Sequence, residues 1–580
     1  MNEITIQGIP SFFAEYTGRP ITFPSLSVFC DGTRLTETAD YTVIYYNNTE
    51  PGIASLAIMG TGTYDFRKDI LFTIIRTDED PGREAFRAGP FSDISVPQSE
   101  LIRAHDAYLD SGDFQSAARQ LDRAEYTPFR AETLNTIQEN LKYTQEYLLI
   151  KKGPEYYEYS AVEPAVSSRP IWEQEYGDRT EGRGIYGVEV DFMTNTFTRL
   201  CDAAGKAPGA GFDLAGPFSR RRCALADDGT VTAYFGDPLY TEDGSIGQVM
   251  VEQPAFYYRM EPLALEPVQD GEGWHLRKAR WYVSSAPWQG FKLHPDFRRN
   301  HVNRDRIYLS AYEGCLYDAS ENSYILDDAQ TADFAADKLS SIAGAKPVSG
   351  ATQKLTRSNA RKLAANRGRG WGMADILSAS ATQLLMLIEY ASFDMQSAIG
   401  EGDVHKDSGS GNKAEITGAT AGLGNHSGAV NNQNNVQIVS YRGEENLWGS
   451  MWMMIDGINI HTSNKHGFYL SDHDYEDDTA ANYTPGGFTF SKTDGKISAF
   501  GYSETCDWLF IPSETAGHSK YPVGDIFYQT AEENGWLCAR LGGRWSNGAD
   551  GGPFCWALTS ASSNYSRHTN GRLLYVPQTQ

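Results

Sequence analysis

Apolar and polar residues alternate over much of the chain, and this alternation predicts β-strands. Near the amino terminus, Ala54, Leu56 and Ile58 alternate with smaller or polar neighbours. A turn-rich segment at 47–52, with two Asn, one Pro and one Gly, separates that run from an earlier apolar stretch. Residues 1–78 are therefore predicted to form a small all-β module.

The hydrophobic period changes after a Pro- and Gly-containing linker at 78–90. Helices are predicted at 99–108 and 114–124, and a third carries an apolar seam at three- and four-residue steps or their multiples. That seam consists of Leu134, Ile137, Leu141 and Leu148. Residues 79–164 are thus predicted to be a linker and helical segment. The seam favours packing within one chain over trimerisation, and both interpretations stay open.

The remainder of the chain is mostly β-like, with one strong helical pattern. Residues 165–345 are rich in β-residues, with aromatic residues and Gly between the runs. In the following segment, 346–580, Asp375 is the predicted N-cap of a helix at 376–390 that has an apolar face. The Gly/Asn-rich stretch 400–435 is predicted to be a long surface loop.

The composition indicates a folded protein of several domains. The chain has 580 residues, 40% of them hydrophobic and 22% charged, and a net charge of −25. Because so acidic a protein repels phosphate groups, we expect no nucleic-acid partner. The densest apolar run has five residues, from Leu384 to Ile388, so no membrane insertion is expected.

Cysteine usage and the amino terminus bear on where the protein is made. The seven cysteines are widely spaced and include no CxxC pair, which disfavours both a disulfide framework and a zinc site. The first residues lack the basic and apolar parts of a signal peptide. We therefore expect synthesis in a reducing cytoplasm.

Two clusters of charged residues, one basic and one acidic, are candidate binding sites. The basic residues Lys354, Arg357, Arg361, Lys362, Arg367 and Arg369 are predicted to form a solvated helix face. The acidic run at 472–478 offers hard oxygen ligands for a structural Ca²⁺, although a solvated loop is the alternative. The candidate ligands are Asp472, Asp474, Glu476, Asp477 and Asp478.

No motif in the chain points to catalysis. The histidines do not form HExxH, and no GxSxG elbow is present. Because glycan hydrolases leave no short motif, an enzyme that degrades surface glycans stays open as an alternative. The expectation is nevertheless that the protein is not an enzyme and needs no cofactor.

A frame of Gly and Trp positions stands out in the carboxy-terminal segment. It comprises Gly542, Gly543, Trp545, Gly548, Gly552, Trp556, Leu558, Ser562, Gly571, Arg572 and Leu573. This frame closely resembles the variable region of target proteins diversified by diversity-generating retroelements. Those regions end a C-type-lectin fold of the subclass shared with formylglycine-generating enzymes. The resemblance for the lectin fold covers about 350–580, and 165–345 resembles tail proteins of phages that infect gut bacteria.

The genetic code offers a check on this resemblance. Such retroelements change adenines in AAC and AAT codons, so varied positions stay within a set that lacks Lys, Glu, Gln, Met and Trp. Residues 542–572 contain none of these except the two frame tryptophans. The alternative is a Gly/Ser-rich loop that happens to lack long charged residues. The candidate varied, ligand-binding positions are Arg544, Ser546, Asp550, Phe554, Cys555, Ala557, Thr559, Ser560, Tyr565, Ser566, Arg567, His568 and Thr569.

The resemblances imply a multidomain, mainly β protein with α+β parts. The implied parts are an immunoglobulin-like β-sandwich at 1–78, a short helical segment, a β-rich phage tail block at 165–345 and a C-type-lectin fold at 346–580. Trp545, Gly548, Gly552, Trp556, Leu558 and Arg572 would form the scaffold of the binding site. The implied function is a virion tail protein that binds a host bacterial surface protein or glycan.

Such a protein would contact other tail proteins and would be a homotrimer. The alternatives are a surface-glycan hydrolase or an oxidase of the related fold, and a structural tail subunit with an incidental lectin domain. An oxidase is disfavoured because Cys538 and Cys555 do not match the reactive cysteine pair of formylglycine-generating enzymes. Cys506 and Cys538 are instead expected to be buried, packed thiols.

Overall fold

The structure of the protein is a computed structural model. It describes residues 184–578, apart from 214, 289, 330, 462–466, 519–521 and 531–534, and most residues between 4 and 75. The predicted helical segment at 79–164 lies outside the described residues. The chain divides into two compact units, Met1–Glu146 and Tyr147–Gln580, which are described separately below.

The described part of the amino-terminal unit is all β, as its alternating pattern predicts. Its strands are β1 (Ile4–Gln7), β2 (Phe13–Glu15), β3 (Ser27–Cys30), β4 (Thr33–Arg34), β5 (Tyr41–Tyr46), β6 (Gly52–Gly60) and β7 (Arg67–Ile75). One sheet has the order β1-β3-β4 and the other β2-β7-β6-β5. Val28 of the first sheet and Leu56 and Ile58 of the second belong to one apolar cluster, so the two sheets share a core.

The second unit is also mostly β-sheet. Its first strands are β8 (Ile185–Asp191), β9 (Thr196–Cys201), β10 (Arg221–Leu225), β11 (Val231–Tyr234), β12 (Gln248–Pro254), β13 (Tyr257–Pro267), β14 (Trp274–Ser284), β15 (Lys292–Leu293), β16 (Arg298–Arg299), β17 (Val302–Asn303), β18 (Arg306–Ser310), β19 (Cys315–Asp318), β20 (Ser323–Ile325) and β21 (Lys338–Ser340). The later strands are β22 (Trp371–Met373), β23 (Gly428–Asn431), β24 (Gln437–Tyr441), β25 (Glu444–Glu445), β26 (Trp452–His461), β27 (Gly467–Leu470), β28 (Thr484–Pro485), β29 (Gly495–Lys496), β30 (Ala499–Tyr502), β31 (Pro512–Glu514), β32 (Ile526–Gln529), β33 (Trp536–Leu541), β34 (Trp556–Ser560), β35 (Thr569–Asn570) and β36 (Leu573–Tyr575). The prediction of a mainly β, multidomain protein is confirmed.

The α-helices of the described residues are few, and one of them forms as predicted. They are α1 (Gly350–Gln353), α2 (Arg357–Ala365), α3 (Ile376–Tyr390) and α4 (Met395–Ala398). At the start of α3, the Asp375 side chain accepts a hydrogen bond from the backbone N–H of Ser378, and the Ser378 hydroxyl accepts one from the backbone N–H of Asp375. This reciprocal capping box fixes the amino terminus of α3. Nearly every residue of α3 is buried, so the helix lies within the core and not against one side of it.

Strands from both sides of the predicted boundary at 345/346 share two large sheets. A six-stranded sheet has the order β11-β10-β12-β18-β36-β22, and a seven-stranded sheet joins β8, β9 and β13–β15 to β30 and β31. Tyr308 of β18 is paired with Tyr575 of β36, near the carboxy terminus. One apolar cluster contains Trp281, Leu384 and Trp556. The carboxy-terminal segment is therefore built onto strands that precede residue 345.

The eight-stranded sheet carries the carboxy-terminal frame. Its main order is β28-β27-β26-β33-β34-β32-β29, and β35 pairs with β26. Strands β26, β33 and β34 lie at its centre, with Met453 opposite Leu541 and Leu541 opposite Trp556. The segment 542–572, which carries the variable-region resemblance, begins directly after β33 and contains β34 and β35.

Candidate functional site

The segment 542–572 forms two loops that are tied to the eight-stranded sheet. The first loop leaves the end of β33 at Leu541 and returns at Trp556, the start of β34. The second follows β34 and returns to the sheet at β35, where Thr569 is opposite Trp452 in a parallel pair. The loops meet where the rings of Trp545 and His568 make an edge contact, with centroids 5.9 Å apart.

The frame residues of this segment lie in the interior. Trp545 and Trp556 are 1% and 0% exposed, and Leu558 is buried as well. The Trp556 indole N–H donates a hydrogen bond to the carbonyl oxygen of Phe510 at 2.9 Å. The guanidinium of Arg572 is buried and donates to two backbone carbonyl oxygens, that of Glu445 at 2.7 Å and that of Ser310 at 2.8 Å.

The glycines of the frame have two different roles. A Cβ on Gly552 would lie 2.1 Å from Oδ1 of the buried Asp525, so only glycine leaves room for that carboxyl group. Gly548 has a positive φ of 57°, a left-handed conformation that glycine adopts without strain, and nothing lies within 4 Å of its Cβ position. Gly552 therefore serves packing, and Gly548 serves the turn.

Nine of the thirteen candidate varied positions have side chains that are exposed or half-buried. Tyr565 is the most exposed, at 49%. The nine are Arg544, Ser546, Asp550, Thr559, Ser560, Tyr565, Ser566, Arg567 and His568. Asp550 is paired with Lys496 through an Oδ1–Nζ distance of 2.5 Å. Arg544 and His568 lie at the contact between the loops, with the buried Trp545 beside them.

The other four candidate positions are buried, which corrects the expectation that their side chains contact a ligand. They are Phe554, Cys555, Ala557 and Thr569, none more than 2% exposed. The Phe554 ring packs edge-on against Phe393, with centroids 5.0 Å apart. Cys555 and Ala557 pack in a small cluster with Trp452. The codon pattern could not separate these residues from their exposed neighbours, because codon sets carry no information on burial.

A hydrogen-bonded chain crosses the contact between the loops. The Arg544 guanidinium donates from Nη1 to Nε2 of His568 at 2.6 Å, so the imidazole proton lies on Nδ1. Nδ1–H then donates to the Ser566 hydroxyl at 2.8 Å, and that hydroxyl lies 3.1 Å from the hydroxyl of Thr569. Burial, together with the positive charges of Arg544, Arg540 and Arg567, lowers the pKa of His568 to about 3. The imidazole is therefore neutral at physiological pH and orients Arg544.

Arg540 lies near the same side chains although it stands outside the segment 542–572. Its Nη2 donates to the Thr559 hydroxyl at 2.7 Å, and its guanidinium lies 5.8 Å from the ring centroid of Trp452. Burial and the neighbouring charge of Arg544 lower the pKa of Arg540, although Cys538 opposes this shift. The sequence gives no sign of this role for Arg540, because the residue lies in β33 and the Gly and Trp frame begins only at Gly542.

Part of the basic cluster pairs with carboxylates, so the predicted solvated helix face is wrong for Arg357, Arg361 and Arg367. The other three members, Lys354, Lys362 and Arg369, are exposed. Arg357 is buried, and its Nε donates to Oδ1 of Asp477 at 2.8 Å. Arg361 donates to the same oxygen at 2.7 Å and also to both oxygens of Asp456. Arg367 is buried too and pairs with Asp227. These pairs fasten helix α2 to the acidic loop and to the strands beside it.

The acidic run at 472–478 does not form the metal site considered above. Among the described residues, no group of three or more His, Cys, Asp or Glu side chains has the arrangement that a metal ion requires. Asp477 is bound to arginines, Asp478 accepts from Ser562 at 2.7 Å, and Asp472 accepts from the backbone N–H of Asn300 at 3.0 Å. Asp474 is 92% exposed. The carboxylates therefore point to separate partners and do not converge.

Comparisons with known proteins yield structural neighbours only. No protein-family model matches the chain, and no curated protein sequence matches it. Structures similar to this chain include the Major Tropism Determinant P3c variant, with 13% identity and a TM-score of 0.21, and the U1 variant, with 12% identity and a TM-score of 0.21. The I1 variant has 12% identity and a TM-score of 0.20. Each comparison covers 61% of this chain and 71% of the other. TM-scores of this size do not establish a shared fold.

Within the part of the chain that the structure describes, no helix is both long enough and apolar enough to cross a bilayer.

Proposed function

We propose that this protein is a receptor-binding protein of a phage tail, and that a retroelement diversifies its binding surface. The observation that carries the proposal is the division within 542–572. Nine candidate varied side chains are exposed or half-buried, whereas Trp545, Trp556 and Leu558 are buried under them. A surface supported by a separate core tolerates replacement of its side chains without loss of the fold.

The residue types on this surface suit adaptable recognition. Three Ser and two Arg make up five of the nine positions, and one is Tyr; in antibody loops Tyr supplies rigid contact area and Ser supplies adaptable hydrogen bonds. Tyr565 and Arg567 come from the second loop, and Arg544 and Ser546 come from the first. Both loops therefore contribute to one contact area, which we propose binds a ligand on the host bacterial surface.

We propose binding and not catalysis as the activity. The thiols of Cys506, Cys538 and Cys555 are buried, and burial raises the pKa of each, that of Cys506 to about 12. A protonated, inaccessible thiol is a poor nucleophile, so the oxidase alternative lacks its reactive group. This supports the binding role over an enzyme of the related fold.

We also propose a homotrimer, because several identical surfaces on one particle convert weak contacts into strong avidity. The order of the predicted parts, with a helical segment between an immunoglobulin-like module and β-rich tail blocks, suits an elongated particle of this kind. Light scattering that gives the mass of a single 64.2 kDa chain would contradict it.

The binding role is tested with purified full-length chain on a panel of gut bacterial strains, using a strain that the wild-type protein binds. The double variant Tyr565→Ala with Arg567→Ala should bind those cells about tenfold more weakly, because it loses an aromatic anchor and a guanidinium. The control is Leu239→Ala with Arg369→Ala, which removes an exposed apolar residue and an exposed arginine elsewhere in the same unit. Equal loss in both variants, or loss in neither, would contradict the proposal.

A further inference from the structure

Three arginines of the candidate surface have no carboxylate partner. Among the described residues, Arg540, Arg544 and Arg567 form no ion pair, although the chain carries 75 acidic residues against 50 basic ones. Elsewhere in the same unit, most buried arginines are paired with carboxylates, whereas Arg572 donates to backbone carbonyl oxygens instead. Arg299 binds Asp375 at 2.6 Å and Arg442 binds Glu389 at 2.7 Å. The three surface arginines therefore differ from most buried arginines of this unit.

The guanidinium groups of this surface lie near one another and repel. Burial lowers the pKa of Arg540, and the nearby charge of Arg544 lowers it further, although Cys538 opposes the shift. Burial lowers the pKa of Arg544, and the charge of Arg567 lowers it further, although Tyr528 opposes this. All three arginines lower the pKa of His568. Like charges gathered without a counter-charge cost free energy, which a bound anion would offset.

The arginines also retain unused hydrogen-bond donors. The buried Nε–H groups of Arg540 and Arg567 have no hydrogen-bond partner in the described structure. Each guanidinium carries five N–H donors in a fixed plane, and one or two of them are used by Thr559, Ser546, His568 or the Ser408 carbonyl. Such donors match a planar carboxylate, which accepts two parallel hydrogen bonds from one guanidinium.

The side chains around the arginines favour a sugar over a protein as the source of the carboxylate. Ser546 and Asn547, which are hydrogen-bonded to Arg544, supply a hydroxyl and an amide group, which suit the hydroxyls of a glycan. Tyr565 is the single large apolar side chain exposed within 542–572. Protein interfaces rely on several buried apolar or aromatic anchors, and this surface offers one.

We infer that the surface formed by Arg540, Arg544 and Arg567 binds a carboxylate-bearing glycan of the bacterial envelope. This rests on the proposed function and names the class of ligand for the same surface. In the bound state, the guanidinium groups donate hydrogen bonds to the uronate-type carboxylates, and the surrounding hydroxyl and amide groups contact the sugar ring. His568 stays neutral and holds Arg544 in place.

Binding of purified full-length chain to immobilised oligosaccharides tests the inference. The probes are oligogalacturonate, alginate oligosaccharide and a sialyl oligosaccharide, each beside its carboxyl-reduced counterpart, with polyglutamate as the acidic peptide. The test variant is Arg544→Gln with Arg567→Gln. The charge-matched control is Arg298→Gln with Arg369→Gln, which removes two exposed arginines elsewhere in the same unit. Thermal unfolding of all three proteins checks that the fold is intact.

We expect the wild-type chain to bind at least one carboxylated oligosaccharide, and to bind its reduced counterpart at least tenfold more weakly, because reduction removes the charge-assisted hydrogen bonds. The test variant should lose about tenfold or more in affinity, and the control should keep its affinity. Three results would overturn the inference: equal binding to reduced sugars, equal loss in the control, or tighter binding to polyglutamate. If the carboxylated probes fail but the Tyr565→Ala with Arg567→Ala variant still loses cell binding, the ligand class is wrong and the proposed function stands.

Discussion

Asp525 and Phe554 are joined by a hydrogen bond that fixes the loop between β33 and β34, the first loop of the segment 542–572. The Asp525 carboxyl accepts at Oδ2 from the backbone N–H of Phe554, with an N–O distance of 2.8 Å. Asp525 is buried next to Gly552, whose missing side chain makes room for the carboxyl group. Burial, with the nearby charges of Asp394 and Asp550, raises the pKa of Asp525 to about 8, although the hydrogen bond from Phe554 opposes the shift.

This raised pKa predicts a pH-dependent stability. An unfolded aspartate titrates at about 3.9, so the folded state holds the Asp525 proton more tightly. The stability that this proton contributes is complete below about pH 4 and is lost as the pH rises towards about 8. Asp525→Asn stays neutral and retains an acceptor oxygen. We therefore expect the free energy of unfolding of the wild type to fall relative to that of Asp525→Asn over this range.

Denaturant unfolding of both proteins at several pH values measures the difference. Because both proteins contain the other buried carboxyl groups, their contributions cancel in the comparison. Asp474→Asn, at a position that is 92% exposed, serves as the control and should follow the wild type. A parallel pH dependence for wild type and Asp525→Asn would show that Asp525 does not titrate in this range.

The division between frame and surface predicts opposite effects on stability. Trp545→Ala and Trp556→Ala each empty a buried site, so we expect the free energy of unfolding to fall by about 3–5 kcal/mol. Tyr565→Ala should change it by less than about 0.5 kcal/mol, since that side chain is 49% exposed. Chemical denaturation of the three variants measures these values. A larger loss for Tyr565→Ala than for the tryptophan variants would contradict the division.

The pairing of Asp477 with two arginines predicts that this carboxylate is structural. Asp477→Ala leaves the buried Arg357 without its anion, and breaking a buried ion pair in this way costs about 3–5 kcal/mol. Asp474→Asn removes an exposed carboxylate of the same run, keeps a residue type that tolerates the φ of 47° at this position, and should change stability by less than about 0.5 kcal/mol. Thermal and denaturant unfolding compare the two. Equal small effects would mean that the acidic loop is not fastened by Asp477.

Local patterns in the sequence predicted the elements that depend on near neighbours. Asp375 caps α3 across a separation of three residues, and the sequence predicts this cap, although not the reciprocal hydrogen bond with Ser378. The all-β character of residues 4–75 likewise follows from alternation along single strands. The burial of Cys506 and Cys538 agrees with the general preference of free thiols for the interior.

Contacts between distant residues could not be predicted in this way. Asp477 pairs with Arg357 across 120 residues, so each cluster taken alone resembled a solvated patch. The sheet that joins Tyr308 to Tyr575 likewise crosses the predicted boundary at 345/346, because strand pairing is a tertiary property. Phe554, Cys555 and Ala557 fit the permitted codon set but are buried, so the sequence overestimated the contact surface.

Deep sequencing of the coding segment for 542–572, from a population of the phage and from its template copy, tests the central claim most directly. The structure predicts abundant substitution at exposed and half-buried positions such as Arg544, Tyr565 and Arg567. Trp545 and Trp556 should be constant, and the buried Phe554, Cys555 and Ala557 should change rarely and only to residues that fit the core. Identical codons throughout, or substitution spread evenly over buried and exposed positions, would contradict a diversified binding surface.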